Sequence, residues 1–272
     1  MPFIDLTDTQ TMHYEESGTG FPLVLVHGWG MSARVWAFQA ELAASYRLIA
    51  LDLRGHGRSS ALQDRYAFPD LASDLVALFD RLGIERAALA GWSLGAQVAL
   101  ESAPLLGERL AALVLIGGTP RFTVGEDWPH GLPAMEIRGL AARLRRDYDR
   151  TLGEFFQRMF AEGELTGEDS QRIAREIVVP RRLPDPRAVH ACLATLAEGD
   201  QRGLLPLVQC PTLVVHGDED SICLPAAGRF MAERLPAGRF VSFAGVGHAP
   251  FLSRPAAFNR LVAPFLREVC RD

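Results

Sequence analysis

In one short stretch the chain passes from a buried-strand pattern to a helical one. Arg86 to Ala90 is a short, mostly apolar run, Leu94 to Ser102 has helical spacing, and only Gly91-Trp92-Ser93 stands between them. A strand can feed a helix across so few residues only through a very sharp turn. Gly91 and Gly95 flank that turn, where side chains would collide with neighbouring backbone. Ser93, at its apex, is thrust out at the strand's carboxyl end. The helix N-terminus beneath it favours developing negative charge. The bare G-x-S-x-G pattern arises by chance at a modest rate. A strand running in and a helix running out make Ser93 a candidate nucleophile.

The same alternation extends along most of the chain. Pro22 to Val26, Arg47 to Leu51 and Ala112 to Ile116 read as further strands. Val35 to Ser45 and Asp70 to Leu82 read as helices, the latter with Leu71, Leu75, Leu78 and Phe79 on one face. Phe3 to Leu6 and Met12 to Glu16 look like a hairpin at the sheet edge. From Gly117 to about Arg187 the rhythm stops, and the sequence reads as three or four helices. It resumes with strands at Thr212 to His216 and Arg239 to Phe243, and helices at Leu224 to Leu235 and Pro255 to Val269. The expected class is α/β: a mostly parallel, twisted sheet of about eight strands flanked by helices. Residues 1–116 and 188–272 form its core, and residues 117–187 form a helical lid over the carboxyl edge, where such sheets bind ligands.

A serine hydroxyl needs a base. His248, in Gly245-Val246-Gly247-His248-Ala249-Pro250, follows the last strand and is the candidate. An acid must hold its imidazole in the right tautomer. The loop Gly217-Asp218-Glu219-Asp220 offers three carboxylates. Asp220 is preferred because it lies farther from the strand end and can swing toward His248. Asp218 is the rival, and could instead cap the turn. An oxyanion hole needs backbone N–H donors. Leu94, directly after Ser93, supplies one. Trp29, in His27-Gly28-Trp29-Gly30, supplies the other, with its indole forming part of an acyl-pocket wall. His27 is read as a structural residue that orients this loop. Asp52-Leu53-Arg54-Gly55-His56-Gly57-Arg58-Ser59 lacks the Lys-Ser/Thr ending of a phosphate loop and is read as a structural turn beside the site.

Composition excludes several classes. Hydrophobic residues make up 48% and charged residues 22%, which argues against disorder. The net charge of −5 argues against general nucleic-acid binding. No apolar run approaches the roughly 18 residues of a membrane span. Residues Met1 to Gln10 lack the basic start of a secretion signal, so the expected location is the cytoplasm. The expected state is a monomer. Cys192, Cys210, Cys223 and Cys270 form no C-x-x-C pair and are expected as free thiols in or near the core. No cluster has metal-ligand spacing, and no metal or other cofactor is expected.

H-G-W-G, D-x-R-G-H-G-x-S, G-W-S-L-G, G-D-E-D and G-H-A-P-F occur in this order. Together they resemble the α/β-hydrolase superfamily over nearly the whole chain. A narrower resemblance is to the pimeloyl-acyl carrier protein methyl ester esterases of biotin biosynthesis. It is carried by Gly91 to Gly95, Arg121-Phe122-Thr123, Asp127-Trp128-Pro129 and His248-Ala249-Pro250-Phe251-Leu252-Ser253. The resemblance implies a serine esterase in which Trp29, Ser93, Leu94, His248 and the lid run Phe155-Phe156-Gln157-Arg158-Met159 contact the acyl chain. It also implies a partner, the acidic acyl carrier protein, received by lid arginines. All basic residues of the chain are arginine. From 138 to 158, Arg138, Arg143, Arg145, Arg146, Arg150 and Arg158 face only Asp147, Asp149 and Glu154. Arg172, Arg175, Arg181, Arg182 and Arg187 follow. Arg146, Arg150, Arg158 and Arg172 are the candidate docking residues, on a basic lid above an acidic body. The competing readings are a short-chain carboxylesterase, a C–C hydrolase or perhydrolase, and a non-catalytic binding protein on the same fold.

Overall fold

The computed structural model of the chain describes residues 2–178 and 182–270. Arg181, counted above among the lid arginines, lies outside them. Eight strands form one sheet: β1 (Phe3–Thr7), β2 (Gln10–Ser17), β3 (Phe21–Val26), β4 (Tyr46–Leu51), β5 (Ala87–Trp92), β6 (Leu110–Ile116), β7 (Thr212–Gly217) and β8 (Gly238–Phe243). Their order is β1-β2-β4-β3-β5-β6-β7-β8. β1 and β2 are the antiparallel edge hairpin, and β2 pairs antiparallel with β4. Every other pairing is parallel. β5, β6 and β7 are buried at every position, as continuous Ala/Leu/Val runs covered on both faces must be. The chain winds from β3 to β4 in one direction and then places β5 on the other side of β3. This reversal leaves a crevice at the carboxyl ends of β3 and β5. The Gly28–Trp29 loop leaves β3 there, and Ser93 follows β5.

Helices α1 (Phe68–Arg81), α2 (Leu94–Leu106), α7 (Pro225–Arg234), α8 (Pro250–Ser253) and α9 (Pro255–Val269) accompany the sheet. In α1, Leu71, Leu75, Leu78 and Phe79 are buried, the face expected from their spacing. The segment read as a helix over Val35 to Ser45 is a 3-10 helix, Ala33–Ala44. Its buried residues include Ala33, Trp36, Gln39 and Leu42. That spacing of three stacks them on one side of a three-residue turn and would spiral off the face of an α-helix.

Between β6 and β7 lie α3 (Ala134–Arg146), α4 (Tyr148–Gln157), α5 (Gly167–Ile173), a π-turn (Ala174–Val178) and α6 (Pro186–Glu198). The expected lid boundary at 187/188 falls inside α6. The Asp147 side chain accepts the Arg150 N–H and starts α4 directly after α3. No helix of the described residues is long and apolar enough to cross a membrane. Cys192, Cys210 and Cys223 are buried and Cys270 is half-buried, all as free thiols.

Candidate active site

Ser93 sits at φ 57°, ψ −118°. With Arg65 it is one of two non-glycine residues at positive φ among the described residues. Such backbone strain persists only where the surroundings enforce it. Here the Ser93 N–H donates to Ile116 O at 2.9 Å, while its carbonyl accepts from Ala96 and Gln97. A Cβ on Gly91 would lie 2.2 Å from Gly95 O, and one on Gly95 would lie 2.2 Å from Val26 O. Both glycines are therefore required by close approach, as the sharp turn predicts.

His248 follows β8 and is almost wholly buried. The Trp92 indole N–H donates to its carbonyl at 2.9 Å, and the two rings pack 5.4 Å apart. A Cβ on Gly117, the residue after the Ile116 that anchors Ser93, would lie 3.0 Å from His248 Nδ1. Trp92, next to Ser93, and Gly117, next to the residue that anchors Ser93, thus hold His248 against the turn. Asp220 Oδ2 is 2.8 Å from His248 Nδ1. A carboxylate can only accept, so Nδ1 carries the proton and Nε2 carries the lone pair. That Nε2 is buried and has no hydrogen-bond partner among the described residues. Asp220 Oδ1 accepts the N–H groups of Ile222 and Cys223, both at 2.9 Å, which fixes the carboxylate. Asp218, the rival, accepts the Gly245 N–H at 2.7 Å and caps that turn.

The Gly28–Trp29 loop lies against the same turn: a Cβ on Gly28 would be 3.2 Å from Ser93 Cβ. Leu94 opens α2, so its N–H belongs to the first turn, which has no carbonyl of its own helix to meet. His27 and His56 fix the loop. Leu53 N–H donates to His27 Nε2 at 3.0 Å, so His27 Nδ1 is the protonated nitrogen and donates to Gly28 O at 2.7 Å. Gly30 N–H donates to His56 Nε2 at 3.3 Å, and His56 Nδ1 donates to Arg54 O at 3.0 Å. Burial keeps both rings neutral. It pushes His27 below the usual histidine range, and burial together with His27 pushes His56 down to about 3. The Asp52 loop is a packed turn. Its carboxylate meets His13 Nδ1 at 2.7 Å and accepts the Ala33 and Arg58 N–H groups. Burial works to raise this carboxyl, but those hydrogen bonds and His27 outweigh it and hold it below the usual carboxylate range.

The five lid residues of the resemblance divide. Phe155 packs edge-on against Trp29, ring centroids 4.8 Å apart, and the Trp29 indole N–H donates to Val189 O at 2.8 Å. Phe155 and Arg158 line a cavity of about 600 Å³ between α3 and α4, together with Phe122, Ile137, Leu140 and Ile222. Ser93 and His248 do not line it; Phe155, which meets Trp29, and Ile222, whose N–H Asp220 accepts, do. Phe156 and Gln157 are not brought to this cavity. They line a separate one of about 500 Å³, because consecutive helical residues diverge by about 100°. Met159 is buried, and its carbonyl accepts the His248 N–H at 2.7 Å.

The four candidate docking arginines also divide. Arg146 and Arg150 are exposed on α3 and α4, with Arg150 paired to Glu154 at 2.8 Å. Arg158 reaches Glu136 and Ser221 O. Arg172 does not join them: it packs over the Phe38 ring at 4.8 Å and pairs with Asp169, against the 3-10 helix. Arg143 lines the cavity and joins the exposed group in its place.

Sequence reasoning missed three neighbours of the site. Trp92 was visible only as the variable residue of the pentapeptide. His216 lies with Nε2 3.8 Å from Asp220 Oδ2, and burial lowers it to about 4. Glu164 touches the His248 loop from the helical segment, and no motif or spacing marks it.

The sequence pattern of the alpha/beta hydrolase fold family matches residues 22–255. A pimeloyl-acyl carrier protein methyl ester esterase of Nitrosomonas europaea is 37% identical over 91% of this chain and 96% of its own. One of Aeromonas hydrophila is 35% identical over 93% of this chain and 98% of its own. Among solved structures, an esterase of Exiguobacterium antarcticum superposes with a TM-score of 0.89 at 27% identity, covering 97% of this chain and 98% of its own. The chain belongs to the α/β-hydrolase family, and within it to the family of the pimeloyl-acyl carrier protein methyl ester esterases. It is an enzyme of the ester-hydrolase class.

Proposed function

We propose that the chain hydrolyses the methyl ester of pimeloyl-acyl carrier protein through Ser93, His248 and Asp220. The observation that carries the chemistry is the state of His248: Nδ1 engaged by Asp220, Nε2 unpartnered and buried beside a strained serine turn. His248 Nε2 takes the Ser93 proton as Oγ attacks the ester carbonyl. The Trp29 and Leu94 N–H groups face the developing oxyanion. His248 then protonates departing methanol, and a water, activated by the same nitrogen, releases the free acid. Asp220 holds the tautomer and balances the imidazolium. Residues 117–187 act as a lid over this site.

Two features support the substrate. The relatives described above carry that activity in their names. The exposed arginines of α3 and α4 offer a basic face to an acidic carrier. A carrier docked there would keep its thioester outside while the methyl ester end reaches inward, so position and not intrinsic reactivity selects the methyl ester. The test is hydrolysis of pimeloyl-carrier methyl ester beside short nitrophenyl esters. Methanol release from the carrier-linked ester supports the reading. Activity confined to the short esters makes the enzyme a general carboxylesterase.

A further inference from the structure

We infer that Glu164 is a positioning residue for His248, holding the Gly247–His248 peptide from the helical segment. The inference rests on the reading of His248 as the base proposed above. Glu164 is 4% exposed although it is a carboxylate. Its Oε2 accepts two backbone N–H groups, Ala161 at 2.6 Å and Gly247 at 2.8 Å. The first bond is local and closes the turn in which Glu164 N–H donates back to Ala161 O at 3.1 Å. The second crosses to the residue just before His248. Its other oxygen, Oε1, is buried with no hydrogen-bond partner among the described residues. Burying a carboxyl group is costly, and closure of the local turn accounts for only the first of its two bonds.

The rest of the segment from Met159 to Glu164 grips the same loop. Met159 O accepts the His248 N–H at 2.7 Å. A Cβ on Gly247 would lie 2.5 Å from Met159 O and 2.9 Å from Ala161 N, so only glycine lets the two backbones approach this closely. Arg254 Nη2 donates to Glu164 O at 3.1 Å and ties the segment to the start of α9. Gly247 and His248 therefore hang from two acceptors of one segment: a carbonyl and a carboxylate. A base displaced by a fraction of an ångström loses its alignment with the serine proton, with little effect on how substrate binds.

The test compares the wild-type enzyme with Ser93→Ala, Glu164→Ala, Glu164→Asp and Glu164→Gln on nitrophenyl acetate and a longer nitrophenyl ester. Rates are expressed per site titrated with an organophosphate, and for Ser93→Ala, which has no hydroxyl to titrate, per mole of folded protein. Glu164→Ala and Glu164→Asp should lower kcat about tenfold or more on both esters, with KM within about twofold. Glu164→Gln keeps an acceptor oxygen at the same reach and should stay within about threefold of wild type. If Glu164→Ala fails to fold, the Asp and Gln variants decide the matter, because they differ in reach and not in burial. Full kcat per site in Glu164→Asp overturns the inference, as does a loss that appears only in KM or only on the longer ester. Wild-type activity in Ser93→Ala overturns the underlying reading, and this inference with it. An inactive Ser93→Ala beside a fully active Glu164→Asp overturns this inference alone.

Discussion

Asp220 reaches His248 Nδ1 with one oxygen at 2.8 Å and spends the other on two backbone N–H groups, so the carboxylate has no freedom to turn away. Asp218, two residues earlier, spends its oxygen on Gly245 N–H instead. Asp220→Asn should reduce kcat by about 10³–10⁴, because an amide at Oδ2 favours the wrong imidazole tautomer. Asp218→Ala should leave kcat within about threefold, since it removes only a turn cap. Steady-state kinetics on one ester checks both. Equal losses in the two variants would contradict the assignment of roles.

The turn beside the site depends on a buried ion pair. Arg54 Nε and Nη2 each lie 2.6 Å from an oxygen of Asp74, and Gln10 Nε2 reaches both oxygens at 3.0 Å. Removing Asp74 leaves a guanidinium buried without its anion. Asp74→Ala should therefore cost about 3–5 kcal/mol of stability, read from the shift of the denaturant midpoint. A loss below about 1 kcal/mol, the range of an exposed pair, would show that the pair contributes little.

Histidine burial sets the acid limit of stability. Folded His56 titrates at about 3 and folded His216 at about 4, while unfolded histidines take up protons near 6.5. Between those values the unfolded chain binds protons that the folded chain does not. Their contribution is therefore complete above about pH 6.5 and is lost as pH falls toward the folded values. Asp127, Asp185 and Asp200 are held below the usual carboxylate range by arginine hydrogen bonds, so they lose their share only at lower pH. The denaturant midpoint should hold above about pH 6.5 and fall between about pH 6.5 and 4.5. A flat midpoint across that window would contradict the burial of these rings as neutral groups.

The exposed arginines of α3 and α4 predict a substrate-dependent effect. Arg146→Glu with Arg150→Glu should raise KM for a carrier-linked ester by about tenfold at low salt, less at high salt, with kcat on free short esters unchanged. Arg172→Glu should not reproduce this, because that side chain is packed on Phe38. Equal effects on carrier-linked and free esters would remove the docking surface.

The legible parts of the molecule were those in which one local pattern dictates one local geometry. Gly91 to Gly95 reads as a strand–helix turn because no other conformation connects those two patterns, and the sheet that surrounds it follows from apolar runs such as Leu110–Ile116. The order of Ser93, Asp220 and His248 along the chain placed each on a carboxyl-edge loop. Contacts between distant segments were not legible. Glu164 meets Gly247 across 83 positions, and a carboxylate in a polar turn between helices looks the same in sequence whether buried or solvated. The direction of Phe156 and Arg172 was hidden for a related reason. Helix phase decides which cavity a side chain enters, and a short lid run does not fix that phase. The Ala33–Ala44 helix was found but its type was not, since a three-residue hydrogen-bond step such as Val35 N–H to Ser32 O leaves no mark in an apolar pattern that also suits an α-helix.

The most direct measurement is methanol release from pimeloyl-carrier methyl ester by wild-type enzyme and by Ser93→Ala, with the wild-type reaction quenched early and Ser93 examined by mass spectrometry. Wild-type enzyme should turn over and carry an acyl group on Ser93, and the rate in Ser93→Ala should be lower by about 10⁴ or more. Methanol release that persists in Ser93→Ala, or acyl groups found on a residue other than Ser93, would contradict Ser93 as the nucleophile.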